Sequence, residues 1–198
     1  IMKVELEKKG SNINIFFNFL EKNKKYIIIF VVLIIITLGS LLFFKEINKR
    51  ENTKISEEFN QAKIFLNNNN NEKAKNILKS LIEKNNKFYS ISSLYLLIDN
   101  KLENDDQVII YFDQLINLNK IKDDKKDLLR LKKAFYLLNN DLILNQKEKI
   151  LLETLNPIIK NKNSIWKKSS LRLLRDFFDN KGEKIKSKEF NDLLNQIK

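Results

Sequence analysis

The apolar residues of this chain fall into two registers. From Tyr26 to Phe44 they form an uninterrupted run, YIIIFVVLIIITLGSLLFF, with no charge in it. After Phe44 they recur three and four residues apart with polar residues between them, the spacing of amphipathic α-helices. Ile55, Phe59, Ala62 and Leu66 form one stripe. Ala74, Ile77, Leu78, Leu81 and Ile82 form a second, with Lys75 on its polar side. Ile91, Leu94, Tyr95 and Ile98 form a third, and Val108, Tyr111, Phe112, Leu115 and Ile116 a fourth. The Asn67–Asn71 run, Lys84–Lys87 and Asp99–Asp106 separate them as helix ends and turns, with Asp105 or Asp106 as a cap.

The second and fourth stripes are one pattern displaced by 34 residues. Ala74, Ile77, Leu78, Leu81, Ile82 and Asn85 map onto Val108, Tyr111, Phe112, Leu115, Ile116 and Asn119. Thirty-four residues is the tetratricopeptide period, and its second helix opens with a small residue followed four positions later by a large apolar one. Ala74 with Leu78, and Val108 with Phe112, fit that element; the first-helix signature is degenerate. Looser stripes follow. Leu128, Leu131, Phe135 and Leu138 predict a helix, and Leu151, Leu155, Ile158 and Ile159 another, which Pro157 should kink or end. Trp166, Leu173, Leu174, Phe177 and Phe178 give the next. Phe190, Leu193, Leu194 and Ile197 close the series after the Asn180-Lys181-Gly182 turn. The fold class expected is all-α: one N-terminal transmembrane helix, then a degenerate tetratricopeptide-like helical-repeat domain, an α-solenoid. Such pairs bury their apolar faces only by stacking.

The uncharged run predicts the transmembrane helix. At 1.5 Å per residue it spans about 28 Å, close to the ~30 Å hydrocarbon core of a bilayer. Fifteen of its residues are Ile, Leu, Val or Phe. A cleavable signal peptide has a shorter apolar region followed by small residues, whereas this run ends in Phe43-Phe44-Lys45-Glu46. An uncleaved anchor is therefore expected. The domain boundaries read as 1–25 for a short cytoplasmic tail, 26–44 for the membrane helix and 45–198 for the repeat domain. Charge bias does not fix orientation. Lys3, Lys8, Lys9, Lys22, Lys24 and Lys25 precede the run, and Lys45, Lys49, Arg50, Lys54 and Lys63 follow it. The Lys22/Lys24/Lys25 cluster leans toward a cytoplasmic N-terminus. Ile13–Leu20 reads either as a helix on the membrane surface or as a frayed helix start.

Composition removes many chemistries. No Cys and no His are present, which excludes thiol nucleophiles, Cys/His zinc sites and His-based triads. Three glycines, Gly10, Gly39 and Gly182, are too dispersed for a phosphate-binding loop. The net charge of +12 reads either as contact with nucleic acid or anionic lipid or as the bias of a Lys-, Asn- and Ile-rich composition. The basic residues are scattered among acidic ones, which favours bias, and no nucleic-acid partner is expected. The pairs Glu57-Glu58, Asp105-Asp106 and Asp123-Asp124 are acid–base or cation-binding candidates. Sequence neighbours on a helix do not converge, however, and solvated helix ends explain them. Trp166, at helical spacing from Leu173, reads as core rather than as an interface anchor. No residue is assigned a catalytic, cofactor-binding or metal-binding role, and the binding residues are left open.

The order of features resembles the YfgM-like family, ancillary subunits of the bacterial Sec translocon. The matching residues are Lys24-Lys25-Tyr26 entering the apolar run, Ser92–Leu97 leading to Asn104-Asp105, and Leu155-Asn156-Pro157-Ile158 followed by Ser164-Ile165-Trp166. The likeness covers roughly residues 20–197. The family's Gly-Asp turn is Asn104-Asp105 here, and many of its small Ala positions are Leu, Ile or Ser. The resemblance implies a non-enzymatic protein in the inner membrane with its C-terminal domain in the periplasm. It implies protein partners, namely translocon subunits, periplasmic chaperones or secreted chains, with lipid contacted through residues 26–44. The alternative is a membrane-tethered structural adaptor in envelope assembly or cell division.

Overall fold

A computed structural model describes residues 22–140 and 147–197. The Ile13–Leu20 stretch and the tail lysines Lys3, Lys8 and Lys9 lie outside the described residues. Among the described residues the chain is all-helical. Its elements are α1 (Lys24–Asn67), α2 (Asn71–Glu83), α3 (Tyr89–Asp99) and α4 (Asp105–Ile116), then α5 (Asp123–Asn139), α6 (Lys147–Lys160), α7 (Lys167–Asn180) and α8 (Lys184–Asn195).

α1 carries both the apolar run and the first amphipathic stripe. It continues past Phe44 to Asn67, and a compact helical unit runs from Ile55 onward. Its apolar part is long and hydrophobic enough to cross a membrane, and none of that window is buried within the chain. Its hydroxyls are satisfied internally. Thr37 Oγ1 donates to the carbonyls of Leu33 and Ile34 at 3.0 and 2.8 Å, and Ser40 Oγ donates to that of Thr37 at 2.8 Å. A helix surrounded by lipid requires this, because hydrocarbon offers no alternative partner.

From Ile55 onward the helices pack as consecutive neighbours, most extensively α2 with α3, α5 with α6 and α7 with α8. The apolar interior falls into two clusters. The first gathers Ala62, Leu78, Ile82, Leu94, Leu97, Phe112 and Leu129; the second gathers Leu131, Ala134, Leu151, Leu155, Leu174 and Phe178. α5 contributes to both, which changes the stripe read from its sequence. Its buried apolar residues are Leu129, Leu131, Ala134 and Leu137, while Phe135, expected in the core, is 47% exposed. A helix with cores on two sides has no single apolar face, so a one-stripe reading places Phe135 in the core and passes over Leu129, Ala134 and Leu137.

Of the six position pairs linked by the 34-residue displacement, four are alike in burial, while Ile77 is partly buried against a buried Tyr111 and Asn85 partly buried against an exposed Asn119. Ala74, Leu78, Leu81 and Ile82 are buried, as are Val108, Phe112, Leu115 and Ile116. Helix starts repeat the displacement: Asn71 to Asp105 for α2 and α4, and Tyr89 to Asp123 for α3 and α5. The caps repeat it too. Asn70 accepts a hydrogen bond from the Lys73 amide, and Asn104 accepts one from that of Gln107. The cap of α4 is thus Asn104, not Asp105 or Asp106. Those two aspartates occupy the first turn, where negative charge complements the helix dipole.

The chain turns without glycine at most helix ends. α7 closes with Gly182 at φ 80°, its amide bonded to Asp179 O and the Glu183 amide to Phe178 O. α1 and α3 close with the same pair of bonds, but Asn69 (φ 58°) and Lys101 (φ 50°) hold the left-handed position. Pro157 sits within α6, which continues to Lys160, so the helix does not end there. Lacking an amide proton, Pro157 leaves one carbonyl of the preceding turn without its helical donor.

Candidate binding groove

α3 and α5 each present a face of two turns to a common groove of about 230 Å³. Phe88, Ile91, Ser92 and Tyr95 line it from the α3 side; Lys125, Leu128, Leu129 and Lys132 line it from α5. Both sets follow the i, i+3, i+4, i+7 spacing of one helix face. The floor is apolar, since Leu129 is buried and Ile91 packs against the first core cluster. The rim is basic: Lys87 joins Lys125 and Lys132, and no acidic residue lines the groove. Lys132 Nζ lies 4.0 Å from the centre of the Tyr95 ring, a cation–π distance. Burial pushes the Tyr95 phenol up to about 12, so it stays neutral at physiological pH. Phe88 is 58% exposed at the groove mouth and meets Tyr89 edge-on, with centroids 5.0 Å apart. Tyr89 in turn lies 5.5 Å from Phe59 of α1.

A second cavity, about 440 Å³, lies between α4, α5 and α6 and mixes charged side chains with Ile109, Ile116 and Ile150. Its charges are matched: Lys133 Nζ donates to both carboxylate oxygens of Asp113 at 2.6 and 2.8 Å. Arg130 points at Asp127, 2.9 Å away, and that buried carboxylate also accepts from Asn161. The Lys133–Asp113 pair ties α5 to α4 and the Asn161–Asp127 bond ties the end of α6 to α5, while Arg130 and Asp127 pair within α5. Glu103 plays a similar part between α2 and the turn before α4. Its side chain is 5% exposed, with Lys75 Nζ at 3.3 Å and Lys79 Nζ at 3.2 Å. Burial alone would raise its pKa, but the Asn104 amide and the two ammonium groups outweigh that and hold it below the ordinary carboxylate range. Lys75, on the polar side of its stripe, is therefore a partner in an ion pair and not a free surface residue.

The sequence candidates are dispersed. Asp105 accepts from the Tyr136 hydroxyl, Glu58 pairs with Lys84, and Asp123 and Asp124 sit in the first turn of α5. No two of these carboxylate pairs share a site. Among the described residues no group of three or more acidic side chains is placed to hold a metal ion. Trp166 packs against the second core cluster, and its Nε1 donates to the Asp124 carbonyl at 3.0 Å, tying the start of α7 to that of α5. The groove residues were not found from sequence. The available signal was Phe88, an aromatic that belongs to no stripe and directly follows the Lys84–Lys87 cluster.

No family model, curated protein or solved structure matches this chain.

Proposed function

We propose that this protein is a membrane-anchored, non-enzymatic module that binds polypeptide segments, with a tetratricopeptide-like stack as its binding domain. α1 is the single anchor, the N-terminus is cytoplasmic and the compact unit faces the periplasm. There it serves as an ancillary factor beside the Sec channel, linking emerging chains to chaperones. The observation that carries this reading is the α3/α5 groove: an apolar floor, an exposed aromatic and a charged rim, formed by helices two apart in the chain. Contacts between helices two apart recur. Phe59 of α1 meets Tyr89 of α3, Gln114 of α4 donates to Asn85 at the end of α2, and Trp166 reaches Asp124. Such contacts are expected where helical pairs stack as repeats, and stacked repeats present long surfaces whose side chains vary freely. The exposed apolar run of α1, with its hydroxyls bonded to its own backbone, supports the anchor.

The test is crosslinking in native membranes followed by identification of the captured proteins. Translocon subunits, nascent secretory chains or periplasmic chaperones are the expected products. Capture of division or peptidoglycan machinery alone would favour the structural adaptor. Extraction of the protein from membranes at alkaline pH would remove the anchor from the reading.

A further inference from the structure

The α3/α5 groove carries more than a general capacity to bind chains. Its three rim lysines, Lys87, Lys125 and Lys132, are in no ion pair among the described residues, and no carboxylate lines the groove. Some basic side chains elsewhere in the compact unit are matched, as Lys133 is by Asp113 and Lys186 by Glu148 and Glu183, and others are not; what sets these three apart is that they flank an apolar floor. Three positive charges beside an apolar floor form an unmatched field, and only a ligand with both acidic and apolar groups uses the rim and the floor together. Tyr95 and Lys132 meet at one end, which leaves Phe88, Lys87 and Lys125 toward the other. Seven helical residues separate Lys125 from Lys132, a rise of about 10 Å. An extended peptide covers that distance in about three residues.

We infer that this groove recognises a short extended segment of a partner polypeptide with acidic residues flanking one or two large apolar side chains. The acidic groups meet Lys125 and Lys132, while the apolar side chain enters between Phe88, Ile91 and Leu128. Single-stranded nucleic acid fits less well. It needs successive open aromatic faces along a polar groove, whereas here only Phe88 is openly exposed and Lys132 covers Tyr95. The inference rests on the protein-binding reading above and adds the chemistry of the ligand.

The test uses the full chain in phosphatidylcholine nanodiscs, which contribute no anionic lipid. The probe is a short labelled peptide with two acidic residues around a Leu-Phe pair. Two companions replace the acids by lysines or the Leu-Phe pair by serines. Saturable binding of the first peptide alone is expected. Lys125→Glu combined with Lys132→Glu should weaken it roughly tenfold or more and shift preference to the lysine peptide. Phe88→Ala should weaken it about threefold or more, including at high salt, where ionic contributions fade. All three side chains are exposed, and an unchanged circular dichroism spectrum verifies folding. Equal binding of the three peptides, unchanged binding by the variants, or a single-stranded oligonucleotide that outcompetes the peptide would overturn the inference. Unfolded secretory polypeptide separates the two levels. If the double variant binds it as tightly as the unmodified protein, the groove assignment fails and the protein-binding reading stands. If the unmodified chain binds no unfolded polypeptide, both fail.

Discussion

Asn70 and Asn104 stand 34 residues apart and perform the same task. Each side-chain oxygen accepts a hydrogen bond from the backbone amide three residues on, at 3.4 Å from Lys73 and 2.9 Å from Gln107. Each satisfies one of the amides that a helix start leaves without an intrahelical partner. The displacement also links the core positions of α2 and α4, so capping and packing repeat together.

Replacing either cap should therefore destabilise the compact unit. Asn104→Ala is expected to cost about 1 kcal/mol, within the ~0.5–2 kcal/mol range of lost caps, and Asn70→Ala somewhat less because its bond is longer. Asp106→Ala removes only a favourable charge near the helix dipole and should cost roughly 0.3–1 kcal/mol. Denaturation midpoints of the full chain in mild detergent provide the comparison. A larger loss at Asp106 than at Asn104 would reverse the assignment.

The equivalent core positions give a second prediction. Leu78→Ala and Phe112→Ala each empty a fully buried site and should cost about 2–5 kcal/mol. Asn76→Ala, on the exposed face of α2, should stay within about 0.5 kcal/mol. Similar losses at Asn76 and Leu78 would break the register. Lys75 is unsuitable as a neutral control because it faces Glu103.

Glu103 supplies a pH dependence with a definite sign. Its folded pKa lies below the ordinary 4.5, so folding favours the ionised form. The resulting stability is fully present above the unfolded value and is lost as pH falls through the folded one. Acid titration of stability below about pH 4.5 should be shallower in Glu103→Gln than in the unmodified chain. At neutral pH that variant should be less stable by about 1 kcal/mol, a modest figure because both lysines remain partly hydrated. Identical acid slopes would show that Glu103 contributes nothing to the linkage.

Much of the fold was legible because its signals are local. The uncharged run from Tyr26 to Phe44 and the amphipathic stripes each lie in neighbouring residues, and burial follows most of the stripes after Phe44. Other features depend on tertiary placement. Phe135 shares helical spacing with Leu128 and Leu138, yet it is exposed, because α5 lies between two cores. Ser90 looks polar but is buried; its Oγ donates to the Leu81 carbonyl at 2.6 Å and accepts from the Asn86 amide at 2.8 Å. Its small size and self-contained bonding let α3 approach α2 closely. The groove was hidden for the same reason: Phe88 and Lys132 lie 44 residues apart in sequence, and no periodicity joins them.

The most direct test of the central claim is a titration of the full chain, in nanodiscs, with an unfolded secretory polypeptide at low and at high salt. Weak binding is sufficient for the proposed role, because confinement at the membrane raises the effective concentration of a neighbouring chain to about the millimolar range of short tethers. Exposed charge contacts are screened over ~10 Å at 0.1 M salt, while apolar contacts in a groove persist. Micromolar or weaker binding that retains a substantial part of its affinity at high salt is the predicted result. Binding that vanishes in high salt, or that prefers nucleic acid, would contradict the account and leave a basic surface without a polypeptide groove.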